Sequence, residues 1–350
     1  MQGGREGSWK YARSTKTVST LTGWLNHMTS NLKYLAPNSR PQMSFQPIQG
    51  KILQQGKRGI SRVLVSAKIK RKRIVTWGIR VDKMSSSLVT FTDKDTYQNI
   101  FDPERYLHTY YNPKSGIFVV DGYLDFALKK LHEYFTTRGV KGKTLIDIGQ
   151  GPTMYQNLSA CEAFDEIIGA DYTDRNREYY ERSLRNEPGT FDWSNLIQKV
   201  CDLEGKGTSV EEKKQKLKNT VKKTLKCDVL KSNPLEPLVL PKVDCVISLG
   251  CLGYACSDLD TYRNVLKNLS SLLKIGGNII IAEVLNCNSY LSGGKRFFSL
   301  VLTEEFMRSA ITEMGFEIVD LEVSYRKYDK DQFCKYDSSL LVLARKVRDV

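Results

Sequence analysis

Two glycines, two carboxylates and an amide in the middle of the chain have the types and spacing to hold a small molecule. In Leu145-Ile-Asp-Ile-Gly149-Gln-Gly151-Pro-Thr153 an apolar run gives way to two glycines, which let the backbone bend and approach a ligand where a Cβ would collide. Leu145, Ile146 and Ile148 suit a strand covered on both faces, and Pro152 suits the first turn of a helix. About twenty residues on, Ile167-Ile-Gly-Ala-Asp171 ends a second apolar run in a carboxylate placed to accept from a ribose diol. Asn176 is within reach of the same nucleoside. In Cys227-Asp228-Val229 the aspartate suits an exocyclic amine and the valine the face of an adenine ring. The third glycine of a dinucleotide fingerprint is missing, because Gly151 runs into Pro152, Thr153 and Met154, so the pattern points to a nucleoside without phosphates. Each feature also has a plain structural reading: a tight turn, a first-turn polar residue, a loop aspartate.

The stretch from Asp147 to Gln156, Asp-Ile-Gly-Gln-Gly-Pro-Thr-Met-Tyr-Gln, resembles the cofactor motif of the nicotinamide, phenylethanolamine and indolethylamine N-methyltransferase family. Tyr97-Gln-Asn-Ile-Phe101-Asp-Pro-Glu-Arg-Tyr106-Leu-His-Thr-Tyr110-Tyr111 is similar to that family's N-terminal lid. Phe191-Asp-Trp193 with Val200-Cys-Asp-Leu-Glu-Gly205 is similar to its middle insert, and Lys226-Cys-Asp-Val229 and Asp244-Cys-Val-Ile-Ser248 follow in order, so the likeness covers about residues 84–347. It implies an α/β fold: a Rossmann-like seven-stranded sheet with helices on both faces, a helical lid at about 93–138, a core at about 143–347 and an antiparallel final hairpin. It also implies S-adenosylmethionine as the cofactor, held by Tyr106, Tyr111, Gly149, Gly151, Thr153, Tyr155, Asp171, Asn176, Asp228, Val229 and Leu249. Tyr110, Tyr254, Glu283, Tyr290 and Ser299 would meet a small amine or azaheterocycle. The chain departs from the family at Gly253, where members often carry an acid, at Ile275, where proline is usual, and at Glu283, one methylene longer than the aspartate of nicotinamide-methylating members. These departures predict poor use of nicotinamide and better use of a hydrophobic aryl- or alkylamine oriented by Glu283.

Methyl transfer from a sulfonium is an in-line displacement, and holding the reactants in place can supply about 7–11 kcal/mol. No dedicated acid or base is required, so the sequence assigns no catalytic residue. Only His27, His108 and His132 are present, and there is no Gly-x-Ser-x-Gly nucleophile motif. Two other readings stand beside the enzyme: a cofactor-binding pseudoenzyme or regulatory module without an efficient acceptor site, and a nucleic-acid methyltransferase recruited through residues 57–73. The second lacks a base-holding Asn-Pro-Pro-Tyr motif.

The elements that must position these residues are legible from caps and periodicity. Asp102 before Pro103 starts a helix carrying Tyr106, Tyr110 and Tyr111. Residues 115–137 predict one amphipathic helix with Ile117, Val120, Leu124, Leu128, Leu131 and Phe135 on its apolar side, and residues 211–224 a lysine-rich surface helix. A helix opens at Thr173, and others follow the caps Asp258 and Thr303. Residues 243–248 and 278–285 read as strands, 286–298 as an irregular connection and 316–325 with 338–344 as the closing pair.

The formal charge of +14 is uneven: residues 1–83 hold 17 Lys and Arg against 2 acids, and the remaining 267 hold 36 against 37. Any attraction to polyanions therefore belongs to the N-terminal segment. That segment reads as a basic, disordered extension with at most a strand or helix turn at residues 60–65, and residues 84–350 as a single methyltransferase domain. Eight cysteines without a C-x-x-C pair, no signal peptide and no long apolar run predict a cytosolic monomer with reduced thiols, no metal site and no membrane span.

Overall fold

A computed structural model describes residues 61–69, 73–81, 90–327 and 336–350. The chain divides into two units, Met1–Met84 and Ser85–Val350. In the first, strands β1 (Ser61–Ile69) and β2 (Arg73–Val81) pair antiparallel, with Ser61 opposite Val81 and Ile69 opposite Arg73. Residues 61–65 of β1 fall within the stretch where the sequence allows a strand or helix turn, 60–65. Val63, Val65, Ala67 and Ile69 alternate with polar residues, and β2 is rich in branched and aromatic residues, the pattern of a strand pair. The rest of that segment lies outside the described residues.

The second unit is built on β3 (Gly142–Ile148), β4 (Phe164–Asp171), β5 (Val221–Lys226), β6 (Val243–Leu249), β7 (Leu273–Leu285), β10 (Phe316–Tyr325) and β11 (Ser338–Lys346). The seven strands lie in the order β10-β11-β7-β6-β3-β4-β5. β3 pairs in parallel with both β4 and β6, β5 and β7 extend the parallel run, and β11 turns antiparallel to β7 and β10. The strand order therefore reverses between β3 and β6, and the crevice at their carboxyl ends is where such sheets take ligands.

Alternation along the central strands divides the core in two. Leu145, Ile167, Cys245, Ile247, Ile280 and Leu343 face one side, with Leu124, Leu128, Leu131, Tyr180 and Ile197. Ile146, Ile148, Ile168, Val246, Ile279 and Val342 face the other, with Val265, Leu266, Leu269, Met307 and Ile311. Helices thus cover both faces of the seven-stranded Rossmann-like sheet, as the family resemblance implies. In chain order they are α1 (Lys94–Ile100), α2 (Pro103–Tyr111), α3 (Ile117–Val120), α4 (Tyr123–Phe135), α5 (Asp174–Leu184), α6 (Ser194–Glu204), α7 (Val210–Thr220), α8 (Leu252–Ala255), α9 (Leu259–Leu272) and α10 (Glu304–Glu313). Asp102, Asp258 and Thr303 cap as expected, each side chain accepting a backbone N–H from the first turn.

Four stretches differ from the sequence expectation, each for a local reason. The helix expected at 115–137 breaks into α3 and α4 at Asp121–Gly122: Gly122 has φ 89°, and the buried Asp121 accepts the Tyr123 N–H and the Tyr336 hydroxyl. Val120 is consequently exposed. Pro152 does not open an α-helix. Buried Asp147 draws in the Gln156 and Asn157 side-chain amides at 2.9 and 2.7 Å, and the segment forms two 3-10 turns, Tyr155–Asn157 and Ala160–Glu162. α7 stops at Thr220, and Val221–Lys226 becomes edge strand β5 beside β4. Residues 286–298 contain a ribbon, β8 (Ser289–Ser292) with β9 (Lys295–Phe298), joined by Gly293 and Gly294 at φ 57° and 75°. Two left-handed residues in a two-residue turn match the twist of antiparallel strands, and Gly-Gly supplies them.

Candidate active site

A cavity of about 280 Å³ opens at the carboxyl ends of β3, β4 and β6, with residues of α1 and α2 in its wall. Gly149 and Gly151 form its floor at φ 69° and 60°. A Cβ on Gly149 would lie 2.1 Å from Cys251 Sγ, so the turn after β3 packs against the loop after β6 only because this residue is glycine.

Asp171 ends β4, is buried, and is held by four donors: Gly151 N–H reaches Oδ2 at 3.0 Å, while Thr173 N–H, Thr173 Oγ1 and Asn176 Nδ2 reach Oδ1 at 2.8, 2.8 and 3.1 Å. The carboxylate is thereby fixed in orientation, and Oδ2, with one donor, keeps room for another. Asn176 Oδ1 is buried without a partner. Asp228 follows β5 beside Val229, and its Oδ2 accepts from Lys94 Nζ of α1 at 2.5 Å. That pair raises the Lys94 pKa and ties α1 to the far side of the cavity. Two further bonds do the same: Tyr172 Oη donates to Asp95 at 3.2 Å and Gln98 Nε2 to Asp174 at 2.8 Å.

The remaining wall is aromatic. Tyr106 lies 5.7 Å from the Tyr111 ring and 6.5 Å from the Tyr290 ring, and Tyr254 lies 4.9 Å from Tyr290. Tyr97 Oη and Tyr290 Oη are 2.8 Å apart, joining α1 to β8. Burial raises the pKa values of Tyr97, Tyr111 and Tyr290, so these phenols are neutral hydrogen-bonding groups at neutral pH.

Of the residues chosen from sequence, the structure brings Tyr106, Tyr111, Gly149, Gly151, Thr153, Asp171, Asn176, Asp228, Val229, Leu249, Tyr254 and Tyr290 to this wall. Thr153 Oγ1 faces Gln150 O and Gln156 Oε1, each at 3.0 Å, and stiffens the turn. Four others stand behind the wall. Tyr110 Oη donates to Leu291 O at 2.8 Å, Tyr155 Oη meets Tyr123 Oη at 3.1 Å behind Tyr111, and Ser299 is buried with its N–H on Asn288 O at 3.0 Å.

Glu283, expected to orient an amine, is 2% exposed and turned onto the backbone, its Oε1 accepting the Gly253 N–H at 3.0 Å and lying 3.4 Å from Tyr262 Oη. Its burial pushes the carboxyl pKa up to about 8, so at neutral pH it is mostly protonated. A Cβ at Gly253 would meet Glu283 Oε2 at 2.9 Å, so the missing side chain at 253 makes the room that the longer acid occupies.

Lys94, Tyr97, Phe101, Tyr172 and Cys251 also line the cavity and were not chosen from sequence. Tyr97 and Phe101 stand one helical turn apart in the lid-like stretch, a signal that could have found them. Lys94 meets a partner 134 positions away, which no local pattern records.

Residues 89–347 match the model of the NNMT/PNMT/TEMT family. The chain is 48% identical over 238 residues to nicotinamide N-methyltransferase of Sus scrofa and 45% identical over 238 residues to indolethylamine N-methyltransferase of Oryctolagus cuniculus; each match covers 68% of this chain and 90% of the relative. It is 39% identical over 225 residues to phenylethanolamine N-methyltransferase of Macaca mulatta, covering 63% of this chain and 79% of that one.

Proposed function

The chain belongs to the NNMT/PNMT/TEMT family, and we propose that the cavity at the ends of β3, β4 and β6 is where it binds methyl donor and acceptor together. It is an S-adenosylmethionine-dependent N-methyltransferase of small amines or nitrogen heterocycles.

The residues present fit that cofactor. The floor at Gly149 and Gly151 has no side chains, Asp171 Oδ2 retains acceptor capacity and Asn176 Oδ1 is a buried acceptor without a partner, a set suited to a nucleoside and its hydroxyls. When bound, S-adenosylmethionine supplies a methyl group on a sulfonium, open to displacement by a neutral nitrogen. Asp171 would take the ribose hydroxyls, and Val229 with Asp228 the adenine ring and its amine, with Lys94 sharing the Asp228 carboxylate. Tyr106, Tyr111, Tyr97 and Tyr290 keep water from the reacting groups and present ring faces that stabilise positive charge. The chain's contribution is alignment and desolvation, and no general base is required.

The acceptor we favour is a hydrophobic aryl- or alkylamine. One observation carries this: Glu283 is docked on the Gly253 N–H and leaves the wall around Tyr254 and Tyr290 without a carboxylate. Of the carboxylates that do line the cavity, Asp171 and Asp228 are assigned to the cofactor's ribose and adenine, and Asp93 caps α1. A site lacking a partner for an amide discriminates against it, because the amide's buried polar atoms go unpaired. The expected order of kcat/KM is therefore tryptamine and phenylethylamine above nicotinamide; nicotinamide as the clear favourite would overturn the assignment. We take the enzyme to act as a monomer in the cytosol, supported by a cavity built within one chain and by seven described cysteines that are all free. No helix among the described residues is long and apolar enough to cross a membrane.

A further inference from the structure

Strands β1 and β2 belong to the first unit of the chain, and the methyltransferase reading makes no use of them. Among the described residues they pair only with each other, as a two-stranded sheet. Residues directly opposite across an antiparallel pair share a face, and the faces alternate along each strand. The register therefore sorts these strands into two unlike faces. One carries Val63 opposite Ile79, Val65 opposite Trp77 and Ala67 opposite Val75, with Ile69 and Val81 beyond them. The other has Arg62 opposite Arg80 and Lys68 opposite Ile74.

Each face makes a physical demand. A pair of strands alone is at best marginally stable in water, so the apolar face calls for an apolar cover. Two arginines directly opposite each other repel, and the strands hold four Lys and Arg with no Asp or Glu to relieve them. Residues 1–83 as a whole hold 17 Lys and Arg against 2 acids, so the relief points to an anionic partner. A second copy of the chain would cover the apolar face, but it would bring a second segment of the same strong positive charge against the first. A nucleic acid would meet the cations and leave the apolar face bare. A bilayer with anionic headgroups meets both demands: the apolar face enters the boundary of headgroups and acyl chains, and the cations stay at the level of the phosphates.

We propose that β1 and β2 dock this chain on an anionic lipid surface. Such docking is peripheral and needs no spanning helix, so it is compatible with an enzyme of the cytosol. It rests on neither the cofactor nor the acceptor assignment above.

The test is sedimentation of the full chain with vesicles of phosphatidylcholine alone and of an equal mixture with phosphatidylserine. Binding is expected to the mixed vesicles and not to phosphatidylcholine. A Lys or Arg near such a surface is worth about fivefold in affinity, so Arg62→Gln combined with Arg80→Gln should bind about twenty-fivefold more weakly. The change removes a repelling pair, so it should not unpair the strands, and methyl transfer to a soluble amine should be unaltered. The emission of Trp77, read as the difference between the full chain and Trp77→Phe, should move to shorter wavelength on the mixed vesicles. No binding to the mixed vesicles, equal binding to phosphatidylcholine, undiminished binding by the double variant, or an unmoved Trp77 emission would each overturn the proposal. Displacement from the vesicles by duplex DNA with the Trp77 emission unmoved would assign the strands to a nucleic acid instead. A lipid-free dimer in which that emission is already shifted would assign the apolar face to a second copy.

Discussion

Asp171 and Glu283 show how differently two acids at strand ends can be used. Asp171 is held by four donors that orient its charge at the cavity, and Asp and Gly spacing alone exposed it in the sequence. Glu283 was equally visible as a strand-end acid, yet its role depends on what lies opposite it. Gly253, thirty positions earlier, offers a bare N–H and an open space, and the carboxyl turns there. A titration consequence follows. The folded Glu283 pKa of about 8 lies above its ordinary value of 4.5, and Asp147 is likewise pushed up to about 7 by burial. The folded state then binds more protons, so the stability linked to Glu283 is fully present below about pH 4.5 and is lost as pH rises through 8, at up to about 1.4 kcal/mol per pH unit. Glu283→Gln, which keeps the neutral acceptor for Gly253, should flatten that slope. Urea unfolding between pH 6 and about pH 9 should find the variant gaining on the native chain as pH rises. Parallel curves would show that Glu283 is ionised in the folded state.

At the scale of elements, periodicity and caps located most of what positions the site. β3, β4 and β6 carry continuous apolar runs, and the capped helices begin where their caps stand. The elements that sequence reading missed are set by partners distant in the chain or by backbone geometry. Asp121 breaks a helix because Tyr336 and Arg326 reach it, and the short strand read as closing at Cys227 begins as early as Val221 because β4 offers a ladder. The Gly293-Gly294 turn was legible in principle, being the two-residue hairpin signal, but strands of only four residues on either side are too short to show an alternating pattern. That ribbon brings Tyr290 to the cavity, and Phe298 N–H anchors to Thr92 Oγ1 at 2.9 Å. Nothing lies within 4 Å of a Cβ placed on Gly294, so Gly294→Ala introduces backbone strain alone. It should lower stability by about 1 kcal/mol and raise KM for the acceptor more than for the methyl donor. Equal changes in both KM values, or none, would show that the ribbon does not shape the acceptor end.

Across the whole molecule the charge is divided with the chain: the whole positive excess lies in residues 1–83, the remainder carrying one net negative charge, and the family match begins at residue 89. We propose that residues 1–83 are dispensable for turnover. A chain beginning at Met84 should fold and retain kcat; lost activity with an unchanged Tm would assign the segment a part in catalysis or recruitment. The central claim is that a nucleoside cofactor sits on the Gly149–Gly151 turn with its ribose on Asp171. Calorimetric titration of the native chain and Asp171→Ala with S-adenosylhomocysteine tests it most directly, at a temperature where circular dichroism shows both folded. Loss of a charged hydrogen bond to the ribose is worth about 1.5–3 kcal/mol, so the variant should bind about tenfold to a hundredfold more weakly. Equal affinity in the two chains, or binding of NAD in place of S-adenosylhomocysteine, would contradict it.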